Sequence, residues 1–419
     1  MRVAARRDRS AERLLKRYRR EKLFRGVCLM SVLVAVAFLL LILGSLLRQG
    51  ASAFTQTQIL LPLDAALTAG GAPDPQAIDY DAAVLRALAA MLDVTPDRAA
   101  RRELRQLVSI DAAFVLRGRV ESSAGQGAPG TTVRVPASAN VDMVVKGELD
   151  RTADSAMRPL SDRQIDWIDR LTAQGALERR FNTALFTNGD SREPELAGIR
   201  AALTGSVFML LITLAVGFPI GVAAAVYLEE LAPHRAWTRF VELSISNLAA
   251  VPSIVFGLLG LVVFIDRLGM PRSAPLVGGL VLALLTLPVI VISSRSAIRA
   301  VPASIREASL GLGASRMQVV AHHVLPQAMP GILTGTIIGL SRALGETAPL
   351  LMIGMVAFIV DVPGGITDPA TALPVQIYLW ADSPERAFAE RTSAAILVLL
   401  GFLLMMNVVA AMLRRSLEK

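Results

Sequence analysis

Arg342 and Glu346 are the residues of this chain best placed to do chemistry. Apart from this pair, the apolar stretch around them carries no ionisable group from Ile332 to Ala357. A charge at membrane depth costs at least ~2.5 kcal/mol by the lowest scale, so a pair kept there needs a use. Four residues apart on a helix, the two side chains share one face. They can then neutralise each other and look together into a bundle interior or a pathway. The competing reading is a structural ion pair that only ties helices together.

The elements that must hold this pair are membrane spans. More than half of the residues are hydrophobic (53%), mean hydropathy is +0.52, and the apolar residues arrive in blocks. Six stretches are long enough for a hydrocarbon core of about 30 Å, which takes about 20 helical residues: Gly26 to Leu47, Ala201 to Leu228, Asn247 to Ile265, Pro275 to Ser294, Gly331 to Ala357 and Ser393 to Leu413. The first is too long for a signal-peptide core and lacks a small-x-small exit, so it reads as an anchor. The net charge of +8 would fit a nucleic-acid binder, but the basic residues lie where membrane topology puts them, and no nucleic-acid partner is expected. Eleven Lys or Arg precede the first span. Arg295, Arg299, Arg306 and Arg316 follow the fourth, and Arg414, Arg415 and Lys419 follow the last. Six crossings place all of these on one side, giving an N-in, C-in orientation. A single cysteine, Cys28, excludes an intramolecular disulfide and a cysteine-rich metal site; no metal site, catalytic centre or cofactor is expected.

Between the first two spans, Arg48 to Gly198 carries 17 basic against 20 acidic residues and reads as an extracytoplasmic domain. Tyr80 to Val108 has helical spacing of Val84, Leu85, Leu88, Met91 and Leu92, with a break at Pro96. Ala112 to Val120 and Thr131 to Val145 read as strands joined by the flexible Ser122 to Gly130. A further helix starts near Ser161, its N-cap, with Trp167, Ile168 and Leu171 on one side. The expectation is a small α+β module for packing or docking. The loop from Ser296 to Pro330 reads as two short helices, Ile305 to Leu310 and Ser315 to Val324, joined at a glycine turn. An amphipathic pair on the membrane surface and a protein-docking element are equally good readings of it from composition alone.

This loop resembles the coupling loop of ABC-importer permeases, whose pattern is Glu-Ala-Ala, three residues, Gly, nine residues, Ile, one residue, Leu-Pro. Glu307-Ala308-Ser309, Gly313 and Leu325-Pro326 match in type and spacing, with Ser309 for the second Ala and His323 for Ile. Downstream, Arg342-Ala343-Leu344-Gly345-Glu346-Thr347-Ala348-Pro349-Leu350-Leu351 is similar to the PstA group of phosphate-importer permeases. So is Val251-Pro252-Ser253-Ile254-Val255-Phe256-Gly257-Leu258. The sister PstC group typically has Met-Ala after Gly-Glu-Thr, where this chain has Ala-Pro. The likeness runs from about Asp190 to the C-terminus, and the N-terminal part resembles an extended version of the group.

The resemblance implies an all-α polytopic membrane protein of the bacterial inner membrane: six transmembrane helices, an ABC-importer permease core, and an inserted α+β domain. Its expected divisions are a basic cytoplasmic tail (1–25), the first transmembrane helix (26–47), the extracytoplasmic domain (48–200), the core (201–413, coupling loop 295–330) and a cytoplasmic end (414–419). It implies no enzyme activity of this chain, because ATP would be bound by a PstB-like ATPase docking on the coupling loop. A PstC-like second permease, a PstS-like periplasmic phosphate-binding protein and membrane lipid are the other implied partners, and inorganic phosphate is the implied substrate. Arginine suits phosphate because its planar guanidinium binds two oxygens at once and stays charged when desolvated. Glu346 would offset that hold and accept a hydrogen bond from a protonated phosphate oxygen. Three other readings are open: a permease for molybdate, sulfate or phosphonate; a sensor or receptor, for which only six residues follow the last span; and a secondary transporter, for which the spans show no internal repeat.

Overall fold

The structure, a computed structural model, describes residues 2–62, 78–95, 97–122, 132–151, 158–233 and 235–417. Pro96 and the linker residues 123–130 lie outside them. The chain starts as one helix, Arg2–Ala53, that contains the expected first span and is exposed along nearly all of its apolar length. Its free surface is what a lipid-facing helix presents. Near its end the helix meets the last one closely. A Cβ on Gly50 would lie 2.7 Å from Leu397 Cδ1 and 3.0 Å from the Ser393 carbonyl carbon, so only glycine fits.

From there the chain passes directly into a three-stranded antiparallel sheet: β1 Thr55–Pro62, β2 Thr132–Pro136 and β3 Leu177–Phe181, in the order β2-β1-β3. Ile59 stands opposite Val135, and Thr55 opposite Phe181. Helices Tyr80–Leu92, Arg98–Arg105, Ala112–Ser122, Ala139–Lys146 and Asp162–Ala173 accompany the sheet. Leu61, Leu88, Leu104, Leu116, Val135 and Ile168 close the core between them, each fully buried. The break expected in Tyr80 to Val108 is present, with Asp97 capping the second helix through its bond from the Ala100 N–H. Ser161 forms a full capping box with Gln164, which satisfies two orphan donors of that helix.

Two expected strands are corrected. Ala112 to Val120 is helical, because Ala112 and Leu116, four residues apart, are the buried positions; helical spacing governs over the β-branched Val115 and Val120. Thr131 to Val145 is a strand only to Pro136; the Ala137 N–H still bonds the Thr57 carbonyl, but the Thr57 N–H is taken by Asp142 Oδ1 and the ladder ends there. Ser138 in extended backbone then starts the helix Ala139–Lys146, and Gly147 at φ +75° stops it.

Among the described residues, five helices are long and apolar enough to cross a membrane: Arg17–Ala53, Arg200–Leu231, Pro275–Ala300, Arg316–Leu344 and Phe388–Ser416. A sixth crossing exists only if the bent pair Ala236–Leu248 and Ser253–Arg267, which meet at 100°, counts as one. The continuous third span expected at Asn247 to Ile265 is therefore broken, and Pro252 explains the break because it bars Val251 from helical backbone. The fifth expected span, Gly331 to Ala357, is also displaced. Its helix runs Leu325–Leu344 and stops at Gly345. The apolar residues beyond it, Leu350, Ile353 and Met355, turn back into a protein core with Val277 and Val281.

Candidate functional site

Helix Leu325–Leu344 positions both sets of residues singled out by the sequence. Leu325-Pro326 form its first turn and Arg342 stands in its last, about 25 Å apart at 1.5 Å per residue. Arg342 Nε lies 3.6 Å from Glu346 Oε1, an ion pair too long for a hydrogen bond. The two do not share a helix face, since Glu346 follows the helix end in the turn before the short helix Ala348–Met352. They are also at the end of the crossing helix, not at mid-span. The Arg342 side chain is 58% exposed and that of Glu346 18%, so the guanidinium points away from this chain's own bundle while the carboxylate is held against it. Arginine in the last turn is favoured by the helix dipole, and its two outer nitrogens stay available to another group.

The turn carrying Glu346 is fixed from the side by the other family-like segment. Helix Ser253–Gly260 packs against Ala348–Met352 so closely that a Cβ on Gly257 would meet Pro349 Cα at 2.7 Å. The structure thus brings Gly257 of one segment against Pro349 of the other. Ser341, next to Arg342, donates its hydroxyl to Asn407 Oδ1 of the last helix at 3.2 Å.

At the opposite end, the expected helix–glycine–helix loop is present. Helix Ala303–Gly311 is followed by Gly313 at φ +88°, then by Arg316–Val319 with a capping box from Ser315 to Gln318, then by a π-helical turn Val320–Val324. Gly313 is needed for its backbone, because a Cβ there would meet nothing within 4 Å while positive φ strains any other residue. Glu307, Ala308, Gly313 and Pro326 are exposed and Leu325 is half-buried. Leu310, Leu312 and Met317 are exposed beside them, Leu312 at 91%, so the loop presents an uncovered apolar face.

Sequence reasoning missed two ionic clusters. On the side of the helix–glycine–helix loop, Glu229 pairs with Arg295 and Arg299, Arg295 also with Glu242, and Glu230 with Arg306. In the sequence the arginines mark only sidedness; the Glu229-Glu230 doublet at the end of an apolar run is the signal that they have partners. On the side of the sheet-containing domain, Lys146 Nζ bonds both Asp142 (2.7 Å) and Glu390 (2.9 Å), all nearly buried. Glu195, 4% exposed, accepts from the Ala139 N–H at 3.2 Å. Burial pushes its carboxyl above the ordinary range, partly opposed by hydrogen bonds including those from Ser109 and the Ala139 backbone. No group of three or more potential metal ligands occurs among the described residues.

Comparison with known proteins places these observations. Residues 217–419 match the binding-protein-dependent transport system inner membrane component family, and residues 11–155 match a domain of unknown function, DUF3333. The probable ABC transporter permease protein YqgI of Bacillus subtilis is 41% identical over 155 residues, 37% of this chain and 52% of that protein. The phosphate transport system permease protein PstA 1 of Mycobacterium tuberculosis H37Rv is 35% identical over 217 residues, 52% of this chain and 70% of that protein. Among solved structures, the inward-facing MetNI methionine ABC transporter aligns with 52% of this chain and 96% of that chain at 20% identity, with a TM-score of 0.40. This chain belongs to the binding-protein-dependent transport system inner membrane component family, the permeases of ABC importers, and within it to the PstA-type branch. It spans about half the length of its Bacillus relative.

Proposed function

We propose that this chain is the transmembrane permease subunit of an ATP-driven importer of inorganic phosphate in the bacterial inner membrane. It would receive the anion from a periplasmic binding protein. The observation that carries this reading is the exposed helix–glycine–helix loop, in a chain 35% identical to a phosphate transport permease over 217 residues. The loop's bare apolar face and exposed Glu307 suit docking on a separate ATPase, which supplies the energy. Leu325 and Pro326 carry the motion into helix Leu325–Leu344, and Arg342 and Glu346 handle the anion at that helix's far end. The outward-facing guanidinium favours a route shared with a second permease, since the group is presented beyond this chain's own helices.

The topology that goes with this reading has residues 1–25 and 414–419 in the cytoplasm, 26–47 as the first crossing, 48–200 outside as an α+β domain, and 201–413 as the permease core. A membrane-impermeant thiol reagent tests it on Ile110→Cys, 75% exposed in the native chain, in a Cys28→Ser background. Labelling from outside is expected, and labelling from the cytoplasmic side alone overturns the orientation.

The function is tested by co-purifying the chain with its bound proteins, reconstituting them in vesicles and measuring ATP-dependent uptake. Phosphate accumulation that unlabelled phosphate suppresses and sulfate, molybdate or phosphonate does not is the expected result. Accumulation of one of those other anions in place of phosphate overturns the substrate assignment.

A further inference from the structure

Arg306 stands immediately before Glu307 of the coupling loop, and its guanidinium links three elements, two by its bonds and the third by carrying it. Nε and Nη2 donate to Glu230 Oε1 at 3.1 and 2.7 Å, and Glu230 lies in the π-helical turn Tyr227–Leu231 that ends helix Arg200–Val226. Nη1 donates to the Val301 carbonyl at 2.6 Å and Nη2 to the Ile298 carbonyl at 2.9 Å, both at the C-terminal end of helix Pro275–Ala300. The third element is the coupling helix Ala303–Gly311 itself. The Ile298 carbonyl also accepts from the Val301 N–H at 3.2 Å, and a cation is favoured at the C-terminal end of a helix.

The coupling helix has little other grip on the membrane part. Ser309 is its one buried residue, and its hydroxyl bonds back to Ile305 in the same helix. Ile305 adds a half-buried apolar contact. The Arg306 side chain, in contrast, is 24% exposed and its partner Glu230 14%, so the fork works away from bulk water, where charge-assisted pairs are strong. Next to it, Glu229 ties Arg295 and Arg299 of helix Pro275–Ala300, and Arg295 reaches Glu242 of helix Ala236–Leu248. A displacement delivered to Arg306 therefore meets a set of membrane helices already bound to one another.

We propose that the Arg306 guanidinium, clasped by Glu230 and the Ile298 and Val301 carbonyls, is the joint that turns movement of the coupling helix into movement of the two membrane helices. Arg306 and Glu230 are positioning residues in this account, since neither touches the transported anion. The inference rests on the coupling-loop reading above. Lysine at 306 would keep the charge that neutralises Glu230 but not the planar fork that spans acceptors in different directions.

The test is the ratio of phosphate moved to ATP hydrolysed by the reconstituted importer, measured for Arg306→Lys, Arg306→Gln and Glu230→Gln. All three should still co-purify with the ATPase, and ATP hydrolysis should stay within about twofold of the parent. The ratio should fall about tenfold in the Gln variants, within the range that single contacts contribute to coupling, with Arg306→Lys between them and the parent. A rigid-fold role would lower assembly and leave the ratio of the surviving complexes unchanged. A parental ratio in the Gln variants, or loss of ATPase association in all three including Arg306→Lys, overturns the proposal. If the parent vesicles themselves take up no phosphate with ATP, it is the transport reading that fails.

Discussion

Lys146 Nζ lies 2.9 Å from Glu390 Oε2, joining the last turn of a helix in the sheet-containing domain to the first turn of the last membrane helix. The lysine side chain is 2% exposed and the glutamate's 8%. Asp142 completes the cluster, with one oxygen on Lys146 at 2.7 Å and the other accepting from the backbone N–H and hydroxyl of Thr57. The domain is thus attached to the permease core by desolvated charge as well as by the chain. Removing one member of such a cluster costs far more than the intact cluster contributes.

Lys146→Met should loosen the domain from the core. It removes the cation that Asp142 and Glu390 both bond, leaving them only the Coulomb attraction of buried Arg391, and a broken buried pair costs about 3–5 kcal/mol. Limited proteolysis of the detergent-solubilised chain should cut between the domain and the core faster than in the parent. Adding Glu390→Gln should recover part of that resistance. Equal cutting rates in parent and Lys146→Met would show that the cluster is energetically idle.

Glu195 gives a pH dependence with a definite sign. Its folded carboxyl is raised by burial, so its contribution to stability is fully present below the unfolded pKa and is lost as pH rises through the folded one. Glu195→Gln should therefore be more heat-stable than the parent at pH 7, by about 2–4 °C for each kcal/mol recovered in a unit of 150–250 residues. The two should converge as pH falls below 5. A parent that gains stability relative to Glu195→Gln on going from pH 5 to pH 7 would reverse the sign and contradict the assignment.

Arg342→Gln alone is ambiguous, because it leaves Glu346 without its partner. The informative change is Arg342→Gln with Glu346→Gln, which keeps neutrality and polar side chains. Assembly should survive and phosphate uptake should fall by at least about 100-fold, the scale of losing a charge-assisted anchor of about 3 kcal/mol. Uptake near the parental rate in the double variant would reduce the pair to a structural role.

Gly313→Val should fail as a turn and not as a fold. Space is available for the side chain, so the cost is backbone strain at φ +88°, about 1–2 kcal/mol. Membrane insertion should be normal and ATP-driven uptake reduced severalfold. Normal coupling in this variant would argue against the loop as a docking element.

What could be read from the sequence divides along physical lines. The helix start at Ser161 was legible, because its cap acts within four residues of itself; the cap at Asp97 was not read, only the break before it. The helix–glycine–helix shape of the loop was legible for the same reason: Gly313 and Pro326 punctuate locally. Length of apolar run was a poorer guide. It merged Leu325–Leu344 with residues to Ala357, because a chain turning back into a protein core and a chain continuing through lipid can have the same hydropathy. Pro252 and Gly345 carried the missing information. Glu230 and Glu390, the distant partners of Arg306 and Lys146, lie 76 and 244 positions away, a distance over which one sequence holds no register.

Thr55 and Phe181, the first and last residues of the sheet, face each other across one ladder step. The polypeptide therefore leaves the first membrane helix and comes back toward the second at nearly the same point in space. A module whose two ends meet in this way leaves the spacing of the helices on either side independent of the length of chain between them. That spacing is fixed instead where residues meet, at Gly50 against Leu397 and Ser393 and at Lys146 against Glu390.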